Sequence, residues 1–365
     1  MNALPIALRG YHWPQTVLES IPTDGVFYLA LNMTSACNYR CPYCFVGLAN
    51  LKSTPDELTL DQKRRLLAEA AACGAKVLTM PGRGEPLGDP HFWALLNEAN
   101  RLGLYVVVYT NGFFLEEEMI QRLRDSKISL YVKVDSLVPE VYEAMVGRRG
   151  VFARVRRNLD LIADQFHQPV EENGKLLSRF GVNSVVTVQS ASSIPALDSW
   201  CSERNVFYTC RSPVKVGEAD LTWQYLVENR VLELRAIGQK YATRNFTSAT
   251  ERGQCGIYRF GITVENNGEI YVCPDARTGF GRIGNVKNSS LRELIQKRAN
   301  LYPLNSATGY CFVKAHLNPE EKLLRKAPRE GGGNTEIHNH ATLDISKRGQ
   351  SVAQTHSSWS VNARG

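Results

Sequence analysis

The 365-residue sequence has no apolar run long enough to cross a bilayer and no basic-then-apolar segment at its start. The first absence excludes a membrane-spanning helix, and the second makes cytoplasm the expected compartment. It has no arginine-rich or aromatic-interleaved stretch, so nucleic acid is not an expected partner. It has no internal repeat. The net charge of +7 is dispersed, which fits a solvated surface or an anionic substrate. Its nine cysteines, in a chain with a 43% apolar fraction, read as metal ligands and free thiols, not as a disulfide framework.

What the chain does have is Cys37-Asn38-Tyr39-Arg40-Cys41-Pro42-Tyr43-Cys44, shortly after the apolar stretch 26–31. Three soft thiolates this close together can hold one iron–sulfur cluster by three of its four irons. The fourth iron then has no protein ligand, and an open metal position is where a substrate or cofactor binds. Zinc is the rival. Compact zinc sites usually supply four ligands as two Cys-x2-Cys-like pairs, and no His or fourth Cys lies near enough in sequence to complete one.

From Val26 strand-like and helix-like segments alternate, which predicts an α/β fold with a parallel sheet and covering helices. Strands are expected at 26–31, 76–80, 105–109, 128–134, 179–188 and 206–209. Capping boxes at Thr59–Gln62 and Ser290–Glu293 predict two helix starts. A single further helix is expected over about 222–240, within a helical connector at 216–250. Residues 1–25 show no period and read as an N-terminal extension. The polar tail, 318–365, is too poor in apolar residues to offset ordering entropy and is expected to be disordered.

The cysteine run closely resembles the signature of the radical S-adenosylmethionine (radical SAM) superfamily. The resemblance implies a partial (β/α)6 TIM-type barrel over 26–215, with Cys37, Cys41 and Cys44 binding a 4Fe-4S cluster whose open iron chelates S-adenosylmethionine. It implies reductive cleavage of that cofactor to a 5′-deoxyadenosyl radical, abstraction of a substrate hydrogen, and an electron donor such as flavodoxin or ferredoxin. Tyr43 stands where the family places an aromatic against the adenine. Pro81-Gly82-Arg83-Gly84-Glu85-Pro86 fails as a dinucleotide loop, because Leu87 replaces the third glycine. It is similar instead to the family's Gly-Gly-Glu-Pro segment, which holds the cofactor's amino group; Gly84, Glu85 and Pro86 match, and Arg83 is a departure. Thr110-Asn111-Gly112 reads from its residues as a turn and, by resemblance, as a strand end at the active-site face. Asp135 and Ser136 stand where relatives contact the cofactor's ribose or carboxylate, although a helix N-cap explains them equally. Arg148 and Arg149 lie near an arginine that many relatives carry. Asn183, polar within a β-branched run, needs a partner if buried, and a ligand is one.

A second set of cysteines follows. Cys255, Gly268 and Cys273 form a Cys-x12-Gly-x4-Cys pattern around Asn266-Asn267-Gly268, a hairpin signal. The pattern resembles the SPASM/Twitch auxiliary-cluster domain, expected over 251–317. With only Cys311 beyond it, the shortened Twitch form and a second 4Fe-4S cluster are implied. Cys210 ends the sixth strand beside Arg211. It is a fourth ligand to that cluster, a hydrogen donor to a substrate radical, or a small buried residue. The resemblance implies an oxidoreductase-type enzyme that oxidises or epimerises a small molecule such as a sugar or aminocyclitol. A ribosomal peptide is the alternative substrate, against which the lack of a leader-gripping N-terminal domain counts. A non-catalytic metal-binding protein is the other.

Overall fold

In the computed structural model, residues 6–241 and 260–301 are described, apart from 23, 49–50, 173, 275 and 277–280. The chain begins with β1 (Ile6–Leu8) and α1 (Gln15–Glu19). The barrel follows as β2 (Tyr28–Leu31), α2 (Leu60–Ala72), β3 (Val77–Met80), α3 (Phe92–Arg101), β4 (Tyr105–Thr110) and α4 (Glu117–Leu123). It continues with β5 (Ile128–Lys133), α5 (Pro139–Val146), α6 (Phe152–Gln165) and a hairpin, β6 (Val170–Glu172) and β7 (Lys175–Ser178). Next come β8 (Phe180–Val185), α7 (Ile194–Glu203), β9 (Phe207–Arg211), α8 (Glu218–Leu221), α9 (Trp223–Val227) and α10 (Val231–Tyr241). The last elements are β10 (Gly261–Val264), β11 (Glu269–Tyr271), β12 (Arg282–Asn285) and α11 (Leu291–Leu301). No helix among the described residues is long and apolar enough to cross a membrane.

Strands β2, β3, β4, β5, β8 and β9 pair in that order, all parallel, as the six predicted units require. Parallel strands are covered on both faces, so their residues are buried on both sides. Alternate positions therefore enter two different cores. Leu29, Leu78, Val108, Val132, Val182 and Cys210 join the large cluster beneath the helices. Tyr28, Val77, Val107, Tyr131 and Phe207 join a small one inside the barrel. The capping boxes form as predicted: Thr59 Oγ1 accepts the Gln62 N–H at 3.3 Å, and the Gln62 side chain accepts the Thr59 N–H at 2.9 Å.

Two expectations are corrected, and one element was missed. Residues 6–18, read as an extension without a period, contribute to the barrel's core. β1 pairs in parallel with β7, and Ile6, Leu8, Tyr11 and Leu18 complete the cluster inside the barrel. A three-residue strand and a five-residue helix are too short to display a period. The helix expected over 222–240 is broken into α9 and α10, because Glu228 and Asn229 adopt left-handed conformations (φ 43° and 62°). The β6–β7 hairpin was not anticipated, although Asn-Gly at 173–174 is a hairpin signal. The predicted hairpin at 266–268 does form, and β10 pairs in parallel with β2, Gly261 opposite Tyr28. Strands β10–β12 thus extend the barrel's own sheet. The tail lies outside the described residues.

Candidate active site

The three-cysteine run leaves the C-terminal end of β2, where barrels of this kind place their functional loops. It is gripped by three other segments. The Glu85 N–H donates to the Ala36 carbonyl at 2.8 Å, the Arg40 N–H to Val146 at 2.9 Å, and Cys44's carbonyl accepts the Glu218 N–H at 2.9 Å. Two of these contacts demand glycine. A β-carbon on Gly84 would lie 2.2 Å from the Ala36 oxygen, and one on Gly147 (φ +61°) would lie 2.2 Å from the Arg40 oxygen. Neither neighbour can yield, since both are backbone.

The cysteines themselves are half-buried. The Tyr39 N–H points at Cys37 Sγ (3.5 Å) and the Val46 N–H at Cys44 Sγ (3.4 Å). Burial, with the neighbouring thiols adding, pushes Cys37 up to about 11 and Cys41 higher still. Thiols in such a place ionise only against a strong local positive charge, which coordinated iron provides. Among the described residues no three His, Cys, Asp or Glu side chains converge on a single-ion position. A multinuclear cluster asks for something different, one thiolate at each of three separate irons. Asn38 Nδ2, inside the loop, is buried without a partner among the described residues. The donor set fits a cluster better than a zinc ion.

Around the loop stands a polar shell. The buried Glu85 carboxylate accepts the Thr110 hydroxyl (2.7 Å), the Asn111 N–H (2.8 Å) and the Leu87 N–H (3.1 Å). Burial still pushes it up to about 7 against those three donors. It ties the Gly-Glu-Pro segment, with Pro86 opening a short 3-10 turn, to the Thr-Asn-Gly strand end. Asn111 in turn donates to Asn38 Oδ1 at 2.7 Å. Asp135, fully buried, accepts the Tyr43 hydroxyl at 2.7 Å and the Val185 N–H at 2.7 Å, and is paired with Lys133. The Lys133 ammonium also lies 4.5 Å from the centre of the Tyr43 ring. Sequence reasoning missed Lys133, yet strand alternation places it on the lumen side with Tyr131. Asn183 sits level with Lys133 and Thr209 across three strands. Ser136 turns away into local structure, bonding Ser193 Oγ at 2.8 Å and the Val138 N–H at 2.9 Å.

Cys210 is placed differently from either chemical role expected of it. It alternates with Thr209 and so faces the helices, where its Sγ donates to the Gly238 carbonyl at 3.7 Å beneath α10. Burial pushes its thiol up to about 12. Packing under a helix is the role this position shows. Cys273 is buried just beyond β11; Cys255 and Cys311 lie outside the described residues. Arg83, the departure from the Gly-Gly-Glu-Pro pattern, has a partner of its own, Glu265 at 2.5 Å, which Asn32 also meets at 3.1 Å. Both line a cavity of about 370 Å³ between the cluster loop and the β10–β11 hairpin.

A parallel barrel with three thiols on the loop after its first strand defines a class of α/β protein whose donor set suits a cluster. Residues 31–170 match the Radical SAM superfamily. The chain is similar to the AdoMet-dependent heme synthase of Methanosarcina barkeri, 30% identical over 141 residues, 38% of this chain and 40% of that one. GTP 3',8-cyclase of Actinobacillus succinogenes is 29% identical over 154 residues, 41% and 45% of the two chains. Mycofactocin maturase MftC of Mycobacterium tuberculosis is 24% identical over 299 residues, 76% and 72% of the two chains. The chain spans about two fifths of the length of the first curated relatives it matches (40% and 42%). The fold is shared with Streptococcus suis SuiB bound to precursor peptide SuiA (TM-score 0.56, 17% identity, 80% of this chain and 73% of that one). It is shared too with anSMEcpe bound to AdoMet (TM-score 0.51, 16% identity, 75% and 78%).

Proposed function

We propose that this protein is a radical SAM enzyme that cleaves S-adenosylmethionine reductively and removes a hydrogen atom from a substrate at the C-terminal end of the lumen. One observation carries the reading: three thiols on one loop, tied by Glu85, Asn111 and Asp135 to the ends of neighbouring strands. Cys37, Cys41 and Cys44 would hold the 4Fe-4S cluster. When bound, the cluster supplies the electron that splits the cofactor's sulfonium. The chain's own residues position and shield. Gly84 lets the Gly-Glu-Pro backbone close on the loop. Asp135 fixes Tyr43 by its hydroxyl and leaves the ring to stack on the adenine. Asn183, whose side chain bonds none of the described residues, is a polar group left to meet cofactor or substrate.

Cys255, Cys273 and Cys311 are carried forward as ligands of a second, auxiliary cluster that would accept the electron left on the substrate. The outcome we favour is oxidation or epimerisation of a small molecule such as a sugar or aminocyclitol. A peptide is the second reading, since SuiB and anSMEcpe have been solved with peptides bound. The test is anaerobic reconstitution followed by assay of 5′-deoxyadenosine. The intact protein should release it and the Cys37→Ala/Cys41→Ala/Cys44→Ala variant should not; retained cleavage would sink the assignment. Iron should approach about eight per chain if both clusters form and about four if only one does. A product two hydrogens lighter would mean oxidation, and unchanged mass with deuterium uptake would mean epimerisation.

A further inference from the structure

We propose that the cavity between the cluster loop and the β10–β11 hairpin is a binding site for a neutral ring that carries vicinal hydroxyl groups. The proposal sharpens the small-molecule reading above and rests on it only for what happens to the ligand once bound. Every wall of the cavity stands at the C-terminal end of the barrel. Phe45 and Val46 lie just past the third cysteine, Arg83 past β3, Val216 past β9, and the hairpin turns after β10, which runs parallel to β2. These walls are locked together from behind. Asn266, in the hairpin turn, donates from Nδ2 to Ser35 Oγ and to the Glu57 carboxylate, both at 2.8 Å. Glu57 also accepts the Ser35 N–H at 2.9 Å. The Arg83 N–H donates to Asn32 Oδ1 at 3.0 Å, and its Nε to Ser35 Oγ at 3.3 Å. A cavity of about 370 Å³ has the size of a small-molecule site, and walls fixed in advance lower the cost of ordering them around a ligand.

The lining selects the ligand. Two ion pairs line or border the cavity, Arg83 with Glu265 at 2.5 Å and Arg282 with Glu269 at 2.8 Å. Their charges cancel, so a charged ligand would enter without a counter-charge. Arg83 uses Nε and Nη1 on Ser35 and Glu265, and its Nη2 bonds none of the described residues. Asn267 accepts the Glu269 N–H at Oδ1 (3.1 Å), and its Nδ2 likewise bonds none of them. Beside these donors lie two carboxylates, a group with about four acceptor sites. Glu269 Oε2 holds the Tyr271 hydroxyl at 2.9 Å. Burial, with that carboxylate adding, pushes the phenol up to about 12, so it stays protonated. A donor next to an acceptor matches a hydroxyl, which gives one hydrogen bond and takes another, and two such pairs match neighbouring hydroxyls of one ring. A protonated amine only donates and a carboxylate only accepts. Either would leave part of this lining unpaired, a cost that a matching hydroxyl avoids. Phe45, Val46 and Val216 form the apolar wall on which the ring's C–H face would lie.

The test measures binding to the reconstituted protein by saturation-transfer NMR. Myo-inositol and methyl α-glucoside are the neutral probes, and glucosamine and glucuronate the charged ones. At least one neutral probe should bind, and both charged probes should be about ten-fold weaker. Glu265→Gln keeps the shape and leaves Arg83 without its counter-charge. It should weaken the neutral probe about five-fold and strengthen glucuronate about three-fold, an inversion that a merely structural role would not produce. Tyr271→Phe should weaken the neutral probe about two-fold without strengthening glucuronate. Glu203→Gln, at the exposed end of α7, should change nothing. Binding of neither neutral probe, preference for a charged one, or wild-type affinities in both cavity variants would overturn the proposal. The two readings fail separately. Protein that binds a neutral probe but releases no 5′-deoxyadenosine keeps this site and loses the radical chemistry, and the reverse result loses this site alone.

Discussion

The two ends of the barrel lumen are lined by the same six strands and have opposite chemistry. At the N-terminal end Tyr28, Val77 and Phe207, the first residues of their strands, meet Leu8, Tyr11 and Leu18 in a closed apolar plug. At the C-terminal end Glu85, Asn111, Lys133, Asp135 and Asn183 ring the cluster loop, and most of their polar atoms are bonded to one another or to backbone. The difference teaches where each end gets its order. The plug is held by area removed from water, about 1.5–3 kcal/mol for each large side chain, and tolerates any group of the right shape. The upper end is held by directed hydrogen bonds that each fix one strand end against another. It can keep a carboxylate in the dry interior only because three donors surround it. A closed floor also forces anything that reacts in the lumen to enter from the polar end.

The largest effect should come from opening the plug. Leu8→Ala removes a side chain only 1% exposed and should cost about 2–5 kcal/mol in urea unfolding, with the same penalty at every pH, because the plug contains no carboxylate. A cost below about 1 kcal/mol would mean the segment does not fill the lumen.

The polar end should respond to pH instead. Glu85 is raised to about 7 in the fold, against about 4.3 in an unfolded chain. A raised carboxyl binds its proton more tightly when folded. Its contribution is therefore present below about pH 4.3 and lost as pH rises through about 7, on the order of 3 kcal/mol. Glu85→Gln lacks this titration, so the stability gap between wild type and variant should narrow between pH 5 and pH 8. A gap that stays constant would show that the carboxyl is not shifted.

The smallest effect separates the two faces of one strand. Cys210→Ala, on the helix side of β9, should lose about 1 kcal/mol of packing and leave iron content and 5′-deoxyadenosine formation unchanged. Loss of iron would return Cys210 to the ligands.

Much of this was legible in the residues. Parallel strands reveal themselves as short apolar runs between helical periods, and all six barrel strands fall within two or three residues of their predicted ends. The cysteine spacing and Gly84-Glu85-Pro86 named the cluster loop and its neighbour because each is local, set by residues a few positions apart. Alternation within a strand was equally available and would have put Lys133 in the lumen and Cys210 outside it, but periodicity does not say which face is which.

By itself, then, the sequence determined the alternation of strand and helix, the loop that gathers three thiols, and the two capped helix starts, all of which depend on contacts within a few residues. Only the tertiary structure decided that residues 6–19 plug the lumen, that β10 continues the sheet beside β2, and that Arg83 pairs with Glu265. Each of those joins segments far apart in the chain. Their pairing is chosen by which surfaces remain uncovered once the barrel has closed, and no local pattern encodes that.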